Sequence, residues 1–511
     1  MASIKVYMND WFMNMGIVGF LNILKHSDVE EQVEKKDNYI KFDSALLENF
    51  HEYYFSYFMN EYDMSKRMEN SINYSIAYAT KNNDKVKEAV KRIRDTIKYQ
   101  ADNKIKKFDL GSFEKLKDIL NEIINIKTYD EIEKLKDLSQ QCIDIFKIPH
   151  INERLTLNLY KYIIGDNYFG QVSYFNVLKS SLDANGLKKV MYNDYLLPLV
   201  YYYKLQDIIE DDDLQRLKNF MEDSLEHWNE EIKAKAISKG SIKNIEKFFK
   251  DINNKYIKKG KNIGDIKEYV DSLETCQMCG NIKGIMDIYT ESNFAPLAVS
   301  SDNALNLYWN MNPDTNICPL CKLILFCTPA GTTPIRKKYI SNGDNEFYGF
   351  VNMDTSIDEL YSRNLNLKNK KENDNPFNQL IIDIVEENKE RSKFQLQNIM
   401  FVEFKASIDA KKCVLNYFNM PVYLAEFFTK ETSSLNRVKS EILKAQVIDY
   451  ILKNKDLKHM IYRLLKEKIN FQMDGDKKVT YGVNDIYNII NIRYILNEYK
   501  KGGKEEWMRK S

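Results

Sequence analysis

Histidine is scarce in this chain, with five in 511 residues: His26, His51, His150, His227 and His459. None precedes an aspartate and no His-Glu-x-x-His occurs, which removes the simplest His-Asp phosphohydrolase signature and the zinc-protease helix. There is no Gly-x-x-x-x-Gly-Lys-Ser/Thr loop to cradle nucleotide phosphates and no Gly-x-Ser-x-Gly nucleophile elbow. No run of 18 apolar residues exists to span a bilayer, and the opening residues do not read as a signal peptide, so a reducing cytoplasm is the expected setting. An excess of charge is also missing. Lys+Arg of 75 against Asp+Glu of 74 leaves +1, so any nucleic-acid contact must come from local patches.

Carboxylates are plentiful but not arranged as a centre. Glu210 to Asp213 stand ahead of a helical stretch, where they favour its N-terminal dipole. His227 with Glu230 and Glu231 reads as a surface group of a Glu-rich helix. Missing motifs do not exclude an enzyme, but no residue pattern asks for one.

What is present is a folded composition, 44% hydrophobic and 13% aromatic, in a chain long enough for two to four domains. Its strongest chemical signal is cysteine. Cys276 and Cys279 form one Cys-x-x-Cys pair, and Cys318 and Cys321 form another after a spacer of 38 residues. Each turn can aim two thiolates at one point about 2.3 Å away, and two turns together close the tetrahedral sulfur shell that zinc takes in structural sites. Such a shell leaves no vacancy for a substrate water, so one zinc ion would hold shape without chemistry. The competing readings are buried apolar thiols or a redox disulfide, a motif that normally stands alone beside a βαβ pattern. Cys142, Cys327 and Cys413 read as small core residues.

Along the chain, Ile4–Tyr7 alternates as a short strand and Asp10 can cap a helix carrying Trp11, Met15, Val18, Leu21 and Leu24. Gly16 and Gly19 on that helix either admit a second backbone or are merely tolerated, and toleration is the plainer expectation. Tyr39–Phe42 suggests a second strand. Val86, Val90, Ile93 and Ile97 mark one face of a charged helix. Between Lys233 and Lys261 ten lysines meet only two acidic residues. There Ile242, Ile245, Phe249 and Ile252 can face a core while Lys243, Lys247 and Lys250 point outward, either to phosphates or simply to water. Ile285–Tyr289 signals a strand, and Asn364–Pro376 is polar enough to be the best linker. Ile399–Phe404 and Cys413–Phe418 can pair. Leu435, Val438, Ile442 and Ala445, then Leu457, Ile461 and Leu464, then Ile486, Ile489, Ile492 and Leu496 recur at helical spacing, the simplest architecture being an antiparallel bundle. The expected fold is α+β, predominantly α-helical and multidomain. Residues 1–260 form a mostly helical N-terminal domain, 261–375 a four-cysteine zinc-binding module with short strands, and 376–511 a domain ending in a helical bundle.

Several stretches taken together resemble one family. They are Asp10-Trp11 with Asn14, Gly16-Ile17 and Gly19-Phe20, then Tyr168 to Phe175, Cys276 to Gly280, Ile317 to Cys321, Gly331, and Phe350 to Asp354. In this order they are similar to the large subunit of a type I-B CRISPR Cascade, in the Cst subclass with the Cys-x-x-Cys pair repeated. The resemblance implies a non-catalytic subunit of a crRNA-guided antiviral complex, lying near the crRNA 5′ handle beside the backbone and handle-binding subunits. It implies inspection of the motif flanking a double-stranded DNA target, help in parting the duplex, a hold on the displaced strand, and recruitment of a helicase-nuclease. It further implies that the C-terminal helices resemble the small Cascade subunit, copies of which could arise from an internal start such as Met400 or Met420.

For reading the flanking motif, short uncharged side chains suit groove edges while Lys and Arg suit phosphates. The candidates are Gln171, Ser173 and Asn176 in one loop and Asn293, Ser301 and Asn303 in another, with Lys243, Lys247, Lys250, Arg336, Lys337 and Lys338 on the backbone. Turn and cap roles compete for each. The rival functions are a zinc-containing nucleic-acid-processing enzyme and a protein-protein scaffold that touches no nucleic acid.

Overall fold

The computed structural model describes residues 2–169, 182–289, 293–297, 315–337, 346–370, 377, 380–381, 384, 396, 398–407, 412–474 and 481–510. The alternation at the N-terminus makes β1 (Ser3–Tyr7), which pairs with β3 (Tyr39–Asp43), and β3 pairs in turn with β2 (Val33–Lys35). Ile4 and Val6 of β1 face the core and the intervening residues face solvent. Between β1 and β2 runs α1 (Trp11–His26), capped by the Asp10 carboxylate, which accepts from Met13 N at 2.8 Å. Residues 12–21 of α1 are all buried, the mark of a helix enclosed on every side rather than laid on a surface.

α2 (Phe50–Glu61) leads to α3 (Met64–Lys81), α4 (Val86–Asn103), α5 (Leu110–Ile123) and α6 (Ile132–Phe146). The last four enclose a core of their own, in which Val86, Val90, Ile93 and Ile97 take the predicted face beside Leu116, Leu135 and Cys142. α7 (Pro149–Asn167), α8 (Ala184–Met191), α9 (Leu197–Glu210), α10 (Leu214–Lys233), α11 (Lys239–Lys255) and α12 (Ile263–Ser272) continue the chain. Asp213, the last of the carboxylate run, caps α10 by accepting from Arg216 N at 2.8 Å.

After β4 (Asp287–Tyr289) and β5 (Thr315–Ile317) come α13 (Pro319–Phe326) and α14 (Thr328–Gly331). A four-stranded antiparallel sheet follows, formed in spatial order by β6 (Thr333–Arg336), β7 (Glu346–Met353), β8 (Ile399–Ser407) and β9 (Lys412–Asn419). Central strands β7 and β8 pair Phe350 with Val402. The predicted pairing of the last two strands is present, with Phe401 opposite Phe418.

Two expectations change. The first part of the stretch read as a linker, Asn364–Asn369, is helix, for α15 spans Ile357–Asn369. Asn364 is buried and grips β7, accepting from Val351 N at 2.9 Å and donating to Val351 O at 2.8 Å. A polar composition cannot distinguish a linker from a helix whose amide serves a strand, and residues 371–376 lie outside the described residues.

The tail is helical as expected: α16 (Val422–Lys430), α17 (Thr432–Asn436), α18 (Glu441–Leu452), α19 (Lys458–Asp474) and α20 (Val483–Lys510). The first of its apolar repeats does not run through one helix, however. Val438 lies in the connection before Ser440, which caps α18, and Ile442 is 41% exposed while Leu443 is buried in its place. The cap resets the helical phase. Among the described residues no helix is long and apolar enough to cross a membrane.

Candidate metal centre

The spacer between the cysteine pairs is bridged locally. β4 pairs antiparallel with β5, Asp287 opposite Ile317, which delivers Cys318 to the neighbourhood of Cys276 whatever the intervening length. The first pair lies on a turn in which Cys276 N donates to Ile282 O at 2.9 Å and Gly280 N to Cys276 O at 2.8 Å. Gly280 closes it at φ +66, in the left-handed region that a side chain would disfavour. In the second pair Cys318 is the N-cap of α13 and its sulfur accepts from Cys321 N at 3.4 Å. Pro319 starts the helix, where its missing N–H costs nothing.

The four sulfurs converge, all lying within 4.8 Å of one another. Cys276 and Cys321 are 3.8 Å apart at sulfur, as are Cys279 and Cys318. A tetrahedron with about 2.3 Å metal-sulfur bonds has edges of about 3.8 Å, the separation of the Cys276–Cys321 and Cys279–Cys318 sulfurs. The cluster can hold one metal ion. As bare thiols the group is frustrated, since like charges this close cannot all form. Hydrogen bonds from Cys279, Cys318 and Cys321 hold the Cys276 thiol far below the usual thiol range. Contacts with Cys276, Cys279 and Cys318 push Cys321 far above it. With a divalent cation bound there, all four sulfurs would serve as thiolates and the conflict would be removed. Cys276, Cys318 and Cys321 are buried and Cys279 half-buried, and Cys318 N donates to the Cys276 sulfur at 3.2 Å. Cys142, Cys327 and Cys413 stand outside the cluster; Cys327 is buried and donates to Leu323 O at 3.3 Å.

Supporting contacts at the two turns have no local sequence signature. Gln277 N donates to Asn316 O at 3.0 Å, Asn316 N returns to Gln277 Oε1 at 3.0 Å, and Asn316 Nδ2 reaches Glu274 Oε1 at 2.6 Å. Such partners lie far apart in the chain, so no periodicity exposes them.

The centre is bolted to α1 through glycine. A Cβ on Gly16 would lie 2.5 Å from Ile324 O, one on Gly19 would meet the carbonyl of Cys327, and one on Gly331 would meet that of Met15. Close backbone approach, the less expected of the two readings of Gly16 and Gly19, is therefore their role. Asn22 Nδ2 adds a hydrogen bond to Ala330 O at 2.9 Å, and buried Asn14 donates to Asn352 Oδ1 at 2.8 Å.

The nucleic-acid candidates are distributed unevenly. Lys243, Lys247 and Lys250 are exposed on α11, whose opposite face, with Ile242, Ile245, Phe249 and Ile252, is buried. Lys250 pairs with Glu246 at 2.5 Å. Asn244 ties the helix to the metal module, donating to Met286 O at 2.7 Å and Asp287 Oδ1 at 2.9 Å. Arg336 is exposed. Lys337 turns inward instead. It is 4% exposed and pairs with Glu403 at 2.5 Å and Asp449 at 2.8 Å, which takes its charge out of reach of an external phosphate. A basic triplet at a strand end does not reveal which of its members alternates inward. Asn293 is exposed, whereas Gln171, Ser173, Asn176, Ser301, Asn303 and Lys338 lie outside the described residues. The residues flanking those two loops do meet: Ala295 N donates to Tyr168 O at 2.6 Å and the Phe169 and Phe294 rings are 5.7 Å apart.

Comparison with known proteins places a family name on this segment. Residues 269–333 match the family described as CRISPR-associated protein (Cas_CXXC_CXXC). No curated protein and no solved structure matches the chain. The matched segment holds both cysteine pairs, β4, β5 and α13, and supports the assignment of a CRISPR-associated protein with paired Cys-x-x-Cys motifs.

Proposed function

We propose that this chain is the non-catalytic large subunit of a crRNA-guided antiviral surveillance complex, of the type I-B Cascade kind and its Cst subclass. In this reading it helps to recognise the motif flanking a DNA target, to bind and open the duplex, and to recruit the helicase-nuclease. The carrying observation is the coincidence of the CRISPR-associated segment, residues 269–333, with a closed four-sulfur cluster. Zinc is the metal best suited to an all-sulfur tetrahedron, and with four protein ligands it keeps no open position for a reacting water. Its role is to stiffen the turns around it.

Lys243 and Lys247, exposed on a helix that is tied to the metal module through Asn244, support contact with phosphates. With a net charge of only +1, that contact is local and sensitive to salt. The helices α16–α20 are the counterpart of the small subunit in this reading.

Purification of the tagged chain from cells expressing its neighbouring genes tests the proposal. Recovery with other subunits and a short RNA supports it; recovery with proteins alone favours a scaffold. Metal-dependent cleavage of DNA by the pure chain, abolished by a carboxylate substitution, would mark an enzyme and overturn the non-catalytic assignment.

A further inference from the structure

A cavity of about 450 Å³ opens beside the metal centre, between β1, α9 and the first cysteine turn. Its volume falls within the roughly 300–1,000 Å³ of small-ligand sites. The floor is apolar, built from Ile4, Ile282 and Leu320, each buried. The walls carry a particular polar set. Gln206 on α9 has a buried side-chain nitrogen with no hydrogen-bond partner among the described residues. Glu210 and Asn281 are exposed in the lining. On the β1 side, Tyr7 is 40% exposed and its ring lies 5.0 Å from Tyr39, over which the Lys5 ammonium sits at 5.3 Å.

An unpaired amide donor asks for an acceptor, a carboxylate for a donor, an exposed ring for a flat partner and an ammonium for an anion. One molecule supplies all four: a nucleotide whose base is free of pairing and stacking. A base in a duplex offers neither a free Watson–Crick edge nor a free face. We propose that the cavity between β1, α9 and the Cys276–Gly280 turn binds a single unpaired nucleotide. Its base stacks on Tyr7, its edge meets Gln206, Asn281 and Glu210, and its phosphate lies at Lys5. This rests on the nucleic-acid-binding reading above and adds a site within it.

The experiment titrates full-length protein into short RNA and DNA single strands carrying 2-aminopurine, whose fluorescence is lost on stacking, and into the matching duplexes. Total binding is followed in parallel by anisotropy. The expected result is quenching in a single-stranded series and none in the duplexes, and the series that responds, RNA or DNA, names the strand. Gln206→Leu and Tyr7→Ala should each weaken the quenching on the order of tenfold, with bound metal and melting temperature unchanged. Tyr7, being exposed, keeps the test valid where Gln206→Leu fails to fold. Anisotropy changes without quenching, or quenching that neither substitution alters, would remove the pocket and leave the wider function standing. Absence of binding to every strand, together with an assembly that contains no RNA, would remove both.

Discussion

Cys318 donates its backbone N–H to the sulfur of Cys276, 3.2 Å away, so the second cysteine turn is fastened to the first by main chain as well as by any shared ion. The bond steadies a thiolate without coordinating it, in the way outer partners orient metal ligands. The purified chain is expected to carry one zinc per molecule, measured by elemental analysis. Cys276→Ser or Cys318→Ser should lose it, together with a stabilisation on the order of 10 kcal/mol in the surrounding segment. Because the ligands must be deprotonated, metal should leave as pH falls. Zinc at trace level, with all four thiols alkylated in the native state, would defeat the assignment.

The glycine contact gives a prediction with a built-in control. Gly16→Ala drives a methyl to within 2.5 Å of Ile324 O and should cost about 1–3 kcal/mol in chemical denaturation. Gly165, inside α7, has nothing among the described residues within 4 Å of an added Cβ, so Gly165→Ala should instead stabilise by about 0.5–1 kcal/mol. Equal effects at the two positions would show that α1 does not pack backbone to backbone on α13.

A buried ion network joins β8 and the residue following β6 to α18. Beyond Lys337 and its two carboxylates, Lys453 lies 3.3 Å from Glu403 and 2.9 Å from Asp449. Burial pulls the Lys337 ammonium below its usual range even though Glu403 and Asp449 oppose the shift. Lys337→Met should destabilise by about 3–5 kcal/mol, because it strands buried carboxylates. The double change Lys337→Met with Glu403→Leu should cost less than the single one, as read from urea midpoints.

Asp109 supplies a pH-dependent cap. The Ser112 backbone N–H, then the His150 ring, then the Ser112 hydroxyl lower its carboxyl to about 2. An unfolded aspartate titrates near about 3.9. With the folded value depressed, the contribution is fully present above about pH 4 and is lost as pH falls toward about 2. Asp109→Asn keeps an acceptor for the cap but cannot titrate, so it should flatten the acid limb of the stability curve of the α3–α6 bundle.

On the nucleic-acid side, Lys243→Ala combined with Lys247→Ala should lower affinity for DNA across sequences and reduce the salt slope by about two. Unchanged binding would retire that face of α11.

Much of this molecule was legible in one dimension. Two Cys-x-x-Cys turns announce a four-sulfur site because the ligands of each turn are neighbours in sequence. The face of α4, the cap at Asp10 and the pairing of β8 with β9 were equally readable, since caps, strands and amphipathic helices are set by residues a few positions apart. Tertiary structure alone decided what depends on distant partners: that Gly16 and Gly19 admit carbonyls from α13 and its C-cap, that Asn364 serves β7 from within a helix, and that Lys337 faces inward. A side chain's local pattern says where it can point. Only the surface that arrives opposite it, from a distant part of the chain, determines whether it meets water, backbone or a buried charge.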